Sequence, residues 1–382
     1  MRKDCIENIR RIDGVIFDCD GVLIDIRDSY DKSIFKSVVY ILERMTGRKV
    51  SEEWISKEII HLFRKAGGFN NDWDTVYGIL MFILSSLPKE ARRCLEKIMK
   101  KNEKEESPFK RLMLINEAVK EKSELHILNR KFFLESVRNL KEFTNLLDPT
   151  GRESIDKNLM NLYGSDKDFR RFYALLKRFL HGADDVEKSI IAKVFEEFFC
   201  GATLFIENYR SKPEFNKGPG LIENEKLIVQ PKTLDALVSI LGKRNLGIAS
   251  GSRCKIAEYV LGNLIDKFNP KAIIFLEDVE MAERECLWKE NLRKPHPFSL
   301  LKAAEGLENS NFTLYVGDSM EDALMASEAV KLGRNILFAG VYRYTGFEKE
   351  LTQSFLDYGC DLIIPTVNEL PIVLEKLRGE KY

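Results

Sequence analysis

The sequence predicts an α/β protein: a doubly wound parallel sheet, interrupted after its first strand by a large all-helical insertion. Three observations predict it. Val15-Ile16-Phe17 is an unbroken apolar run ending in Asp18-Cys19-Asp20-Gly21, which reads as a strand buried on both faces, with two carboxylates emerging at its carboxyl end where a glycine lets the chain turn. Strand patterns return only after about Leu227, at Leu246 to Ala249, Ala272 to Leu276, Phe312 to Val316, Ile336 to Phe338 and Leu362 to Ile364, with helical patterns between most of them. The stretch between Asp25 and Leu227 reads as helix after helix.

Within that stretch, Ser29 is placed to cap a helix whose apolar positions Ile34, Val38, Ile41, Leu42 and Met45 recur at helical spacing and stop near Gly47. A second helix is expected from Ser51 to Ala66, with Trp54, Ile55, Ile59, Ile60, Leu62 and Phe63 as its apolar stripe. Gly67-Gly68 breaks it, and Asp72 or Asp74 starts the next, through Leu84. Pro88 to Lys122 is dense in Lys, Arg and Glu and reads as exposed helices joined near Ser107-Pro108, its charge runs being solvated faces. Helical patterns resume at Phe132 to Leu146, Lys167 to Phe179 and Val186 to Tyr209. The expected division is therefore an α/β core of residues 1–28 and 216–382 and a helical domain of residues 29–215, with Lys217-Gly218-Pro219-Gly220-Leu221 as the return hinge.

Composition narrows the function. Lys+Arg and Asp+Glu are both 60, so no global field attracts nucleic acid or an anionic membrane, and a small molecule is the expected partner. The cysteines at 5, 19, 94, 200, 254, 286 and 360 are odd in number and never in Cys-x-x-Cys spacing, which argues against a disulfide framework or a zinc site and for a reducing compartment. Met1-Arg2-Lys3-Asp4 opens no secretory signal, and the longest apolar run, around Ile79 to Leu84, is too short to cross a bilayer, so a cytoplasmic location is expected. Charged residues are 31% of the chain, with glutamine only at Gln230 and Gln353, a bias that fits a thermophilic source.

Three distant segments add polar groups to the acids of the first strand. Leu246-Gly247-Ile248-Ala249-Ser250-Gly251-Ser252-Arg253 delivers a hydroxyl in a glycine-containing turn whose N–H groups suit an anion. Lys294 precedes Pro295, which keeps the lysine backbone extended. Leu314-Tyr315-Val316-Gly317-Asp318 ends another apolar run in an acid, and Asp322 follows on the next helix. Acids at the carboxyl ends of parallel strands point to chemistry on a phosphate or a metal.

With Asp18/Asp20, Ser250, Lys294 and Asp318/Asp322 in this order, the chain resembles the haloacid dehalogenase-like (HAD) superfamily over residues 12–28 and about 218–372. Asp20-Gly21-Val22-Leu23-Ile24-Asp25 with Ser29-Tyr30 is similar to its phosphoglycolate-phosphatase-like branch, in particular to archaeal-type members. The resemblance implies a Rossmannoid core, a helical cap at the site of the insertion, here enlarged, and Mg²⁺-dependent hydrolysis of a phosphate ester through an aspartyl-phosphate. Asp18 would be the nucleophile and Asp20 the acid and base. Asp18, the Asp20 backbone carbonyl and Asp318 would hold Mg²⁺, while Asp322 either orients a metal-bound water or caps a helix. Ser250, Gly251 and Lys294 would bind the phosphoryl oxygens, and Arg253 would touch substrate or phosphate or simply open a helix. Cys19 should point into the core, and His296 reads as a loop residue. The turn Ala66-Gly67-Gly68-Phe69-Asn70-Asn71-Asp72-Trp73-Asp74 either reads the leaving group through Asn70, Asn71 and Trp73 or joins one helix end to the next cap over buried Phe69 and Trp73. Alternatives on the same scaffold are a phosphomutase and a non-catalytic binding or regulatory protein.

Overall fold

A computed structural model describes residues 6–69, 71–285, 291–308 and 310–379. They form two compact units, one of Met1–Arg27 with Glu225–Tyr382 and one of Asp28–Asn224.

The first unit is built on a parallel sheet. Its strands are β1 (Gly14–Phe17), β4 (Leu246–Ala249), β5 (Ile273–Ile274), β6 (Thr313–Gly317), β7 (Ile336–Val341) and β8 (Leu362–Ile364), in the order β5-β4-β1-β6-β7-β8. The chain runs outward from β1 through β4 to β5, then returns to the other side of β1 for β6 and runs outward again. That reversal beside β1 is the topological switch point, where the crevice of an open α/β sheet lies. Alternate strand residues enter different cores. Val15, Phe17, Ile248, Leu314 and Val316 pack on one face, and Ile16, Tyr315, Ile336 and Phe338 on the other. Helices on both faces account for strands that are apolar without alternation. Two short strands, β2 (Ile24–Asp25) and β3 (Lys226–Leu227), pair antiparallel where the chain leaves and re-enters this unit.

The second unit is all helical: Tyr30–Thr46, Lys57–Ala66, Asp72–Ser85, Lys89–Lys101, Pro108–Val119, Arg130–Phe143, Arg152–Tyr163, Lys167–His181 and Ile190–Tyr209. Gly47 ends the first of these in the left-handed conformation (φ 68°), donating to Glu43 O. Four expectations need correction. Ser51–Ala66 is not one helix. A 3₁₀ turn at Glu52–Trp54 gives way to extended Ile55 before Lys57–Ala66 begins, and Trp54 stacks on Phe133 instead of joining the helical stripe. Ser29 stands at the N-cap position without a capping side-chain bond. The charged stretch 88–122 is exposed on one side only, since its helices bury Ala91, Leu95, Met99, Leu112 and Ile115. Finally, the return to the α/β unit comes at Glu225, later than residue 216. Residues 214–220 stay with the helices because the buried Glu197 carboxylate accepts the backbone N–H groups of Glu214, Phe215 and Asn216, and Pro219 bridges to Gly201.

Gly201 interrupts its helix with φ 70° and ψ 176°, a conformation that only glycine adopts readily. A Cβ there would lie 2.2 Å from Gly220 N. Gly201→Ala should therefore destabilise the helical unit by about 2 kcal/mol or more. Chemical denaturation that finds wild-type stability would show that the crossing of this kink by the return segment is not a constraint.

Candidate active site

Three strands of the sheet deliver the expected acids and hydroxyl from their carboxyl ends: Asp18 follows β1, Ser250 follows β4 and Asp318 follows β6. Asp18 N donates to Val316 O at 2.9 Å, continuing the β1–β6 ladder, so Asp18 and Asp318 leave neighbouring strands together. The backbone then turns at Gly21 (φ 72°), where a Cβ would stand 1.9 Å from Asp318 Oδ2. This glycine is required twice, by its conformation and by the carboxylate packed against it.

Asp18, Asp318 and Asp322 offer oxygens that all lie within 4.8 Å of one another. Lys294 answers two of them, with Nζ 3.0 Å from Asp18 Oδ2 and 2.7 Å from Asp322 Oδ1. Asp322 is held on all sides. The Tyr315 hydroxyl donates to Oδ1 at 2.7 Å, while Ser319 N and Oγ donate to Oδ2 at 3.2 and 2.6 Å. It is at once the capping-box residue of the helix Met320–Lys331 and the charge that anchors Lys294.

The charges do not balance. Among the described residues this cluster sets one ammonium, that of Lys294, against three carboxyls, so full ionisation would leave two negative charges in a secluded site. Burial, followed by the charges of Asp322 and Asp18, drives the Asp318 carboxyl well above its ordinary range. Burial also raises Asp18, against the pull of Lys294. Burial would raise Asp322 too, but the charge of Lys294 and the bonds from Lys294, Ser319 and Tyr315 outweigh it and hold that carboxylate below its usual value. Lys294 stays firmly protonated, since Asp18 and Asp322 overcome the cost of its burial. A hard, divalent cation fits this set of oxygen donors and this excess charge.

Ser250 is buried, and its Oγ donates to Ser252 Oγ at 3.2 Å. Gly251 between them is exposed, with open space where a Cβ would be. Ser252 Oγ in turn donates to Asp20 Oδ2 at 2.8 Å. Asp20 bridges to Ile24 through the backbone. Cys19 is fully buried in the core and its thiol is pushed far up, by burial first and then by the charges of Asp18 and Asp20. His296 accepts the Phe298 N–H through Nδ1. Arg253 is directed to Glu277 and Glu280, at 3.5 and 3.6 Å.

Of the expected substrate-reading residues of the insertion, Asn71 and Trp73 have partners inside the helical unit. Asn71 caps the helix Asp72–Ser85, accepting Trp73 N at 3.0 Å, and the Trp73 indole donates to Glu196 Oε1 at 2.8 Å. Phe69 is buried edge-on against Phe63. Asn70 lies outside the described residues. Two site residues were not singled out from the sequence. Tyr315 hides in an apolar run, although a phenol in a buried strand needs a partner for its hydroxyl. Ser252 sits two residues beyond Ser250 and reads as an ordinary turn hydroxyl.

Comparison with known proteins agrees with this architecture. The family described as haloacid dehalogenase-like hydrolase matches residues 12–329. No curated protein matches the chain. Among solved structures, an X-ray structure of a structural-genomics target is 18% identical, with a TM-score of 0.68 over 96% of this chain and 99% of its own. Phosphatase Tt82 from Thermococcus thioreducens is 19% identical, with a TM-score of 0.49 over 90% of this chain and 98% of its own. The first of these likenesses shows the fold. No helix among the described residues is long and apolar enough to cross a membrane.

The charge imbalance predicts a pH dependence. Carboxyls whose folded-state pKa is raised, as for Asp318 and Asp18, contribute stability that is complete below their unfolded value and is lost as pH rises through the folded one. In chelator, the melting temperature should thus fall as pH rises above the ordinary carboxylate range of about 4, and Mg²⁺ should restore more of it at the higher pH. Asp318→Asn should flatten the dependence. Identical pH profiles for wild type and Asp318→Asn would contradict the assignment.

Proposed function

The chain belongs to the haloacid dehalogenase-like hydrolase family, and within it we propose a Mg²⁺-dependent phosphomonoesterase of the phosphoglycolate-phosphatase-like, archaeal-type branch, acting on a small soluble phosphorylated metabolite. The observation that carries this reading is the Lys294 ammonium set between Asp18 and Asp322, with Asp318 alongside. A lysine there supplies positive charge for phosphoryl oxygens while a carboxylate stays within reach as nucleophile.

Phosphate monoesters are among the slowest esters to hydrolyse without a catalyst, so the protein must position a nucleophile, balance the phosphate charge and protonate the departing alkoxide. Ser250, Gly251 and Lys294 bind the phosphoryl oxygens. An Asp18 oxygen attacks phosphorus, and as the bond from phosphorus to the ester oxygen breaks, Asp20 gives its proton to that oxygen and the alcohol departs. Asp20, now a carboxylate, takes a proton from water as the water oxygen attacks phosphorus. The bond from phosphorus to the Asp18 oxygen breaks, inorganic phosphate leaves, and both acids return to their starting states. Mg²⁺ held by Asp18, the Asp20 carbonyl and Asp318 would supply the positive charge that lets an anionic nucleophile meet a dianionic substrate. Asp322 fixes Lys294 in this scheme, and Tyr315 and Ser319 fix Asp322.

Two substitutions separate the roles. Asp18→Asn should abolish phosphate release with the fold intact, because the amide is nearly isosteric but does not attack phosphorus. Asp20→Asn should retain metal binding through its backbone and lose turnover of an alkyl phosphate on the order of a hundredfold or more. Phosphate-release assays with and without Mg²⁺ check both, and substantial activity in Asp18→Asn would overturn the choice of nucleophile.

A further inference from the structure

We infer that Ser252 is the positioning residue that orients Asp20 and ties it to the phosphate seat, an inference that rests on the phosphatase reading above. Ser250-Gly251-Ser252 forms a tight turn in which Ser252 N donates back to Ser250 Oγ at 3.2 Å. Both ends are pinned to the strand side of the site, Ser250 N donating to Ile274 O at 3.0 Å and Ser252 O accepting Leu276 N at 3.1 Å. Ser252 is only 7% exposed.

A serine hydroxyl has one proton to give. Ser252 gives its proton to Asp20 Oδ2 at 2.8 Å and accepts that of Ser250 at 3.2 Å, so the chain of donors runs from the phosphate-binding hydroxyl toward the acid. The Asp20 backbone is already set by Gly21 N to Ile24 O at 2.8 Å and Ile24 N to Cys19 O at 3.0 Å. With the backbone fixed, a hydrogen bond to Oδ2 fixes the carboxyl plane as well. When a phosphoryl oxygen takes the Ser250 proton, Ser252 still donates to Asp20, so the acid keeps its orientation in the occupied site. Asp20 is thereby held ready to protonate an alkoxide, which is the part of the reaction that depends on the pKa of the leaving group.

The consequence differs between substrates. An alkyl phosphate needs the proton as its ester bond breaks, whereas the nitrophenolate of p-nitrophenyl phosphate departs without it. Ser252→Ala should lower kcat for an alkyl phosphate by a factor at least about tenfold larger than its effect on the aryl ester. Ser252→Thr, which keeps the hydroxyl, should restore the ratio, and a crystal structure of Ser252→Ala should show the Asp20 carboxyl rotated from its wild-type plane. Equal losses for both esters, no loss for either, or an unmoved Asp20 carboxyl would overturn the inference. If the wild-type enzyme releases phosphate from neither ester, the phosphatase reading fails by itself, and the crystallographic comparison still decides whether Ser252 orients Asp20.

Discussion

The rest of the α/β unit is arranged around one electrostatic constraint: Asp18, Asp318 and Asp322 share a space in which, among the described residues, a single ammonium, that of Lys294, stands against them. Like charges this close in a low-dielectric site repel strongly, so they persist only where the backbone leaves them no other place and where donors or a cation offset them. The fold supplies the first condition. Parallel pairing of β1 with β6 aligns the ends of both strands, Gly21 turns the chain so closely that no side chain would fit beside Asp318, and the capping box at Ser319 holds Asp322. Lys294, Tyr315 and Ser319 supply part of the second. The remainder is a deficit of positive charge, which under the proposed function a divalent cation would fill while offsetting the charge of the phosphate.

Much of this was legible in the sequence because it depends on local patterns. Strands buried on both faces write themselves as apolar runs, and the acids stand where such runs stop. β7 is longer than its clearest apolar residues, Ile336 to Phe338, because Ala339, Gly340 and Val341 pair with β8, a contact that the segment alone does not encode. Tyr315 and Ser252 were missed for the same reason, since each acquires its role from a partner far away in sequence or on another strand. The helix Arg152–Tyr163 escaped too. Its buried Ile155 and Leu159 do lie at i and i+4, but the surrounding residues are polar and the stripe is thin.

In the helical unit, local propensity competed less successfully with tertiary contacts. Trp54 left the expected helical stripe for Phe133, and the charged stretch from Pro88 folded so that it buries a face. Glu197 decides where the unit ends. A buried carboxylate that gathers three successive backbone N–H groups ties residues 214–216 to the helical unit, just before the segment expected to hinge back to the core. Asn71 and Trp73 show the converse, where a motif suggestive of recognition serves a helix cap and an interhelical hydrogen bond.

The central claim is that the Asp18 carboxylate becomes covalently bound to phosphorus during turnover, and trapping that species tests it most directly. Enzyme turning over a phosphate ester with Mg²⁺ is quenched and treated with borohydride, which reduces an acyl phosphate to an alcohol and so converts a phosphorylated aspartate into homoserine. Peptide mass spectrometry should then find homoserine at position 18, dependent on substrate and absent when substrate is omitted. Phosphate release with no trapped residue, or with homoserine at Asp20, Asp318 or Asp322 instead, would contradict the account.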